Sequence, residues 1–179
     1  NRDIEIKERV LMKKLMTSLL VSGLVLTGVS AGHHAEAASG NTMQTVQQIT
    51  QGDQSLENVK IGDSIKNVLN KYQHPIYSYN QQGTEHYYEF RTHKGVLIVT
   101  ADGKKDRGHV TRVSMTYNEA NGPSYKSVKN KFGNKAVSRV HYNRVTGNFG
   151  YIQNGKASYQ FSSNSPKDKN VKLYRIDLS

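Results

Sequence analysis

The chain has 179 residues, with 25 Lys and Arg against 14 Asp and Glu, and a formal net charge of +11 at pH 7. It contains no Cys, which excludes disulfide bonds, thiol nucleophiles and lipid attachment through a cysteine. The charge favours anionic partners, but no run of five or more like charges occurs, so a solvated basic surface is an equally good interpretation.

The segment that starts at Met12 has the composition of an export signal. Two Lys follow Met12, residues 15–29 form an apolar stretch, and Ala35-Glu36-Ala37 supplies small residues at the positions that signal peptidases require. The stretch is too short for a retained membrane span. We therefore expect a signal peptide over residues 12–37, cleaved before Ala38, and a secreted Gram-positive protein that is extracellular or associated with the cell wall.

Two further expectations concern the flanks of this signal. Residues 1–11 precede Met12 and are expected to be translated upstream DNA, a genuine charged extension being the alternative. Residues 38–58 are rich in Gln, Thr, Asn and Gly, and are predicted to be a flexible leader. Met43, Val46 and Ile49 would also suit a short helix there.

A stretch of eleven residues occurs twice. Residues 62–72 (GDSIKNVLNKY) return 60 residues later as residues 122–132 (GPSYKSVKNKF), with six identities. A self-match at a fixed period is typical of a tandem duplication. We predict repeat 1 over residues 59–118 and repeat 2 over residues 119–179.

Each repeat is predicted to begin with a helix and to continue as a meander of three or four strands. The helical stripe of repeat 1 is Ile65, Val68, Leu69 and Tyr72, and that of repeat 2 is Tyr125, Val128 and Phe132. Apolar and polar residues alternate in the segments that follow, which places Phe90 and Val113 toward the helices and Arg91 and Arg112 away from them. In the last segment the alternation places Tyr174 inward and Leu173 outward. The predicted fold is α+β, with two tandem α-β-β-β(-β) repeats forming a continuous antiparallel sheet and the helices on one face.

The pattern V-x-I-G-x-S-x-x-x-V-x-x-x-Y-x-x-P of residues 59–75, followed by a strand meander, resembles the repeat of one superfamily. Its members include the β-lactamase inhibitory protein and the small lipoprotein subunit of the outer-membrane β-barrel assembly machinery. The resemblance implies a long curved sheet whose concave face and hairpin tips grip an enzyme. The second copy departs from the pattern, with Lys135 in place of Pro75. The chain also lacks the lipoprotein cysteine and the inhibitor's disulfides, and no inhibitory residue can be carried over.

The sequence shows no catalytic constellation. Outside the predicted signal peptide it has no G-x-S-x-G elbow and no glycine-rich phosphate loop before a helix. His86 and His93 have no acidic partner at ligand spacing, so they are interpreted as strand or surface residues. Glu85 and Glu89 are interpreted as polar strand residues and not as a hydrolase pair. We expect a non-enzymatic protein with no cofactor and no metal.

Tyrosine and basic side chains are the candidate binding residues, because Tyr and Arg are preferred anchors of protein interfaces. About half of the tyrosines could instead serve the core or strand formation. The candidates on the exposed sheet face are Tyr77, Tyr79, Tyr87, Arg91, Arg112, His141, Tyr142, Arg144, Lys172 and Arg175.

Two functions fit these residues. The first is a secreted protein that binds another protein, as an inhibitor for example, through the exposed sheet face and hairpin tips. The alternative is an extracellular polyanion binder, with nucleic acid or a cell-wall polymer as ligand. The sequence identifies neither the partner nor the oligomeric state.

Overall fold

The computed structural model describes residues 37–179. The expectations for residues 1–36, including nearly all of the predicted signal peptide, lie outside this part. The helices are α1 (Met43–Thr50), α2 (Ile65–Lys71) and α3 (Tyr125–Phe132). The strands are β1 (Ser55–Leu56), β2 (Val59–Lys60), β3 (Ile76–Tyr79), β4 (His86–Thr92), β5 (Gly95–Ala101), β6 (Val110–Tyr117), β7 (Val137–His141), β8 (Phe149–Asn154), β9 (Ala157–Ser162) and β10 (Lys172–Leu178).

Strands β3 to β10 form one eight-stranded antiparallel sheet. Its order is β3-β4-β5-β6-β10-β9-β8-β7, and β1 pairs with β2 in a separate hairpin. The α+β class and the continuous antiparallel sheet are therefore confirmed. The last strand, β10, lies in the middle of the sheet, between β6 and β9.

The sheet joins two halves of similar layout at the β6–β10 pair. The N-terminal half is α2 with β3 to β6, and the C-terminal half is α3 with β7 to β10. In the first half the Gly62 N–H donates to the Val110 carbonyl at 2.8 Å, and in the second the Gly122 N–H donates to the Leu173 carbonyl at 3.2 Å. Each bond ties the segment before a helix to the last strand of the same half.

The three helices pack on one face of the sheet, which we call the helix face. Aromatic pairs mark these contacts: the rings of Tyr72 and Phe90 lie 5.4 Å apart, and those of Tyr125 and Phe161 lie 5.5 Å apart. Cross-strand pairing puts Leu97 and Met115 beside Phe90 on the same face. Burial of these side chains supplies the main stabilisation of the fold.

Residues 38–58 are not a flexible leader, and that prediction was wrong. They form α1, β1 and the turn that leads to β2, with Val46 and Leu56 fully buried in the core. The Thr42 hydroxyl caps α1 by accepting a hydrogen bond from the Thr45 N–H at 3.1 Å. A few apolar side chains at helical spacing are enough to dock this otherwise polar segment.

A buried carboxylate holds the hairpin to the sheet. Glu57 lies in the β1–β2 turn with φ of 50°, and its side chain is turned inward. It accepts hydrogen bonds from Lys94 Nζ at 2.8 Å, the Ser39 hydroxyl at 3.0 Å and the Tyr117 hydroxyl at 3.0 Å. Burial raises the pKa of Glu57, but the Lys94 ammonium and the other donors outweigh burial, and the net pKa is lowered.

Candidate binding surface

The face of the sheet opposite the helices, which we call the open face, carries no helix in the part of the chain that the structure describes. Its residues follow from the strand register: Tyr87 pairs with Thr100, and Thr100 pairs with Arg112. The same alternation on the helix face buries Tyr88 and Phe90. Tyr87, Thr100 and Arg112 therefore share the open face.

Asp177 lies at the middle of the open face, on the central strand β10. Its carboxylate accepts hydrogen bonds from the hydroxyls of Ser114 and Ser158 and from Gln160 Nε2. Arg175 adds a charged bond from Nη2 at 2.7 Å. These donors come from β6, β9 and β10, so Asp177 links the two halves of the sheet.

In the N-terminal half, the basic residues of the open face are paired with acids. An Arg112 guanidinium nitrogen lies 3.8 Å from a Glu85 carboxylate oxygen, and the Tyr87 hydroxyl donates to Glu85 at 2.7 Å. This hydrogen bond, together with burial, raises the pKa of Tyr87. Arg91 lies 3.7 Å from Glu89. The charged groups of this part of the face are thus nearly balanced, and Val96 and Ile98 lie among them.

In the C-terminal half, the open face carries an aromatic groove of about 460 Å³. Phe149, Tyr151 and Tyr174 line it, with Arg139 and His141 at its edge. Phe149 is 47% exposed and Tyr151 is 36% exposed. Neither Arg139 nor His141 has an acidic partner within ion-pair distance among residues 37–179. We call these five residues the aromatic groove.

Two local features direct these aromatic side chains outward. Gly150 lies between Phe149 and Tyr151, and the Tyr125 ring of α3 occupies the space on its inner side. A Cβ at residue 150 would lie 2.9 Å from that ring. Helix α3 therefore requires a glycine there, and the two flanking aromatics lie on the other face.

The second feature is a register shift in β10 between Leu173 and Arg175. It leaves Leu173 fully buried and Tyr174 half-exposed, with the Tyr174 hydroxyl 3.4 Å from Gln160 Oε1. The strict alternation predicted from the sequence, with Tyr174 inward and Leu173 outward, is wrong at these two residues.

Of the candidate residues, six lie on the open face: Tyr87, Arg91, Arg112, His141, Lys172 and Arg175. Tyr142 and Arg144 are exposed in the loop between β7 and β8. Asn148 anchors that loop, because its Nδ2 donates to the carbonyls of Asp168 and Pro166. The structure thus places Tyr142 and Arg144 beyond the end of the aromatic groove, next to His141.

Tyr77 and Tyr79 are not on the open face, and their assignment to it was wrong. Tyr77 pairs across strands with buried Tyr88, and Tyr79 pairs with buried His86. Tyr77 and Tyr79 therefore lie on the helix side of the edge strand β3. The Tyr77 hydroxyl is 2.8 Å from His86 Nδ1, and Lys105 Nζ lies 4.6 Å from the centre of the Tyr77 ring. Tyr77 therefore closes the end of the core.

Sequence reasoning missed four residues of the aromatic groove: Arg139, Phe149, Tyr151 and Tyr174. The sequence did contain a signal for Phe149 and Tyr151, because a glycine between two aromatic residues in a strand indicates that another element packs closely against the glycine's side of the sheet. The position of Tyr174 depends on the register shift, which the sequence does not show.

Within residues 37–179, no group of three or more His, Asp and Glu side chains is placed to hold a metal ion. No helix in this range is long and apolar enough to cross a membrane.

Comparison with known proteins gives a match to a family model. A family model described as SA0570-like matches residues 12–179. No curated protein and no solved structure matches the chain. The resemblance to the β-lactamase inhibitory protein superfamily therefore gains no support from these comparisons.

Proposed function

The chain belongs to the SA0570-like family, a family of staphylococcal type, and we propose that it is a secreted, non-enzymatic binding protein whose contact surface is the open face. The aromatic groove is the observation that carries this proposal. Signal-peptide composition supports the export of the protein.

The groove has the chemistry of a protein-binding site. Half-exposed aromatic side chains grouped on a rigid sheet supply large contact areas at little cost in conformational entropy. Arg139 and His141 add hydrogen-bond donors at the edge of the groove. Exposed apolar patches rimmed by polar groups are typical of protein–protein interfaces.

A protein partner fits the open face better than a polyanion does. Arg91, Arg112 and Arg175 each have a carboxylate within 4 Å, so their charge is already partly neutralised. A polyanion-binding face depends on lysines and arginines that are free to replace counterions. These three arginines are instead balanced locally, which favours a partner with mixed charge, whereas Arg139 and His141 at the groove edge have no acid within ion-pair distance among residues 37–179.

We also propose that the two halves arose by duplication and that the fold is related to that of the β-lactamase inhibitory protein. Two observations support this: the sequence match of residues 62–72 with 122–132, and the matching bonds of Gly62 to Val110 and Gly122 to Leu173. Inhibition of an enzyme held against the open face is the activity that such a relation would imply.

The test is capture of a partner by the protein from residue 38 onward, immobilised and exposed to host fluid and to envelope extract. The double variant Phe149→Ala/Tyr151→Ala should keep the fold and lose the captured protein. Tyr79→Ala is the matched control, because Tyr79 is 63% exposed but lies on the helix side. Equal capture by the groove variant and the control would refute the proposal.

Salt separates the two candidate ligands. Capture that rests on packed aromatics should persist when the salt concentration rises from about 0.1 to about 1 M. Polyanion binding should instead weaken log-linearly with salt. Steep loss of capture, with nucleic acid or cell-wall polymer in the eluate, would favour the alternative function.

A further inference from the structure

Ala38 is held in a defined position by the folded domain, although it lies close to the first residue that the structure describes. Its side chain is fully buried. Its main-chain N–H donates to Asp53 Oδ2 at 3.1 Å, and its carbonyl accepts from the Glu57 N–H at 2.8 Å. Both polar main-chain groups of Ala38 are therefore held by the segment that follows α1.

The residues around Ala38 continue this arrangement. Asp53 is fixed by its other oxygen, Oδ1, which accepts from the Ser55 N–H at 2.9 Å and the Ser55 hydroxyl at 2.6 Å. The Ser39 carbonyl accepts from the Thr45 hydroxyl at 2.6 Å. Oδ2 of Asp53 is thus left to accept from the nitrogen of Ala38, and the bonds from Ser55 to Oδ1 set its position.

The nitrogen that faces Asp53 is the one that signal cleavage would release. The small-x-small pattern of residues 35–37 places the cut at the Ala37–Ala38 peptide bond. Hydrolysis by a signal peptidase adds one water molecule, and the products are a carboxylate on Ala37 and an ammonium group on Ala38. Only a cut at this bond puts the new positive charge beside Asp53.

We infer that cleavage between Ala37 and Ala38 creates an ion pair between the new Ala38 ammonium and Asp53, which locks the N-terminal segment onto the folded domain. The inference rests on the export that forms part of the proposed function. Before cleavage Asp53 Oδ2 receives a neutral N–H bond from Ala38, and after cleavage it faces a full positive charge. Charge-assisted hydrogen bonds are roughly twice as strong as neutral ones.

Burial of Ala38 fixes the order of events. A peptidase needs an extended and accessible peptide, and Ala38 is fully buried once the domain has folded. The bond is therefore cut during export, before residues 38–40 dock. Val29-Ser30-Ala31 is a second and weaker cleavage pattern, and a cut there would leave an amide at Ala38 and no ion pair.

The test compares proteins that begin at Ala38 or at Ala37, released from a fusion by a protease that leaves no extra residue. Both forms have one α-ammonium group and equal net charge. The second form has one additional residue, Ala37, which carries the ammonium and leaves a neutral N–H on Ala38. We expect the Ala38 form to have the higher Tm. In the Asp53→Asn background the two forms should melt together. Equal Tm with Asp53 present, or a gap that persists in the Asp53→Asn background, would overturn the inference.

A chemical readout covers the case in which Asp53→Asn does not fold. In the native protein the Ala38 ammonium should react more slowly with an amine-selective acylating reagent than the ammonium of the Ala37 form. Peptide mapping distinguishes the terminal amine from lysine side chains. Equal reaction rates would overturn the ion pair.

Export is checked separately, by mass spectrometry of the medium of a Gram-positive host that expresses the chain from Met12. A secreted chain that begins at Ala38 supports the inference. A secreted chain that begins elsewhere overturns it and leaves the proposed export intact, whereas absence from the medium refutes the export itself. Partner capture is measured independently, so none of these results is confused with failure of the binding surface.

Discussion

The Tyr117 hydroxyl donates a hydrogen bond to Glu57 Oε1 at 3.0 Å, between residues 60 positions apart. The bond joins the β1–β2 turn to the end of β6. Burial, with the neighbouring Glu57 carboxylate, raises the pKa of Tyr117 far above its ordinary value. Tyr117 therefore keeps its proton, and the negative charge of the pair resides on Glu57.

Glu57→Gln should lower the free energy of unfolding by about 1–3 kcal/mol at pH 7, because Lys94 loses its charged acceptor. The folded pKa of Glu57 is lowered, so its contribution is present above the unfolded pKa and is lost as pH falls through the folded pKa. Urea unfolding at several pH values should show wild type and variant converging as the solution is acidified. Glu119→Gln, at an exposed residue, is the control. A difference in free energy of unfolding between wild type and Glu57→Gln that stays constant with pH would contradict the lowered pKa of Glu57.

The apolar stripe of α2 predicts different losses of stability for truncation at two of its residues. Ile65 is fully buried, whereas Leu69 is only half-buried, so truncation of Ile65 should cost more than truncation of Leu69. Ile65→Ala should cost about 2–5 kcal/mol and Leu69→Ala clearly less. Chemical denaturation of both variants measures the order, and a larger loss at Leu69 would show that α2 is rotated relative to the structure.

Asp177→Asn should destabilise the centre of the sheet by about 1–3 kcal/mol, because Arg175 and the two serines lose a charged acceptor. Glu89→Gln on the same face should cost less than about 1 kcal/mol, since its partner Arg91 is highly exposed. Thermal unfolding at pH 7 compares the two. Equal effects would mean that the Asp177 network does not link the halves.

Charge reversal at Arg91 and Arg112 tests the N-terminal half of the open face. Both side chains are at least half exposed, so the double variant should keep its Tm to within a few degrees, as expected for surface ion pairs. Its capture of the partner should fall if the contact extends beyond the aromatic groove. Unchanged capture would confine the contact to the C-terminal half, and loss of the fold would contradict the assignment of the two faces.

The two halves should unfold as one unit. They share the β6–β10 pair and the Asp177 network, and a unit of about 60 residues is marginal alone. Differential scanning calorimetry should give a single transition for residues 38–179. Residues 119–179 alone should lack the amide protection of a folded sheet; two separate transitions, or a stable isolated half, would refute this.

Most of the sheet was predictable because its strands are amphipathic. The alternation of Phe90 with Arg91, and of Val113 with Arg112, indicates the two faces directly, and the register of β4, β5 and β6 agrees with it. Edge strand β3 was not predictable in this way. Its side chains are partly exposed on both faces, so only pairing with β4 shows where Tyr77 and Tyr79 lie.

The N-terminal segment and the groove escaped prediction for different reasons. Residues 38–58 look disordered by composition, yet Glu57 and its donors fix the segment through contacts distant in sequence. The groove depends on the contact between Tyr125 and Gly150 and on the register shift beside Tyr174. Each is a relation between two elements, which single-segment patterns do not contain.

The central place of β10 bears on the order in which the sheet can form. Residues 172–178 complete the pairing between β6 and β9, so the two halves cannot join before the chain has been synthesised as far as β10. Such late, long-range pairing slows folding. For the export proposed above, this order means that the halves join only after nearly all of residues 37–179 have crossed the membrane.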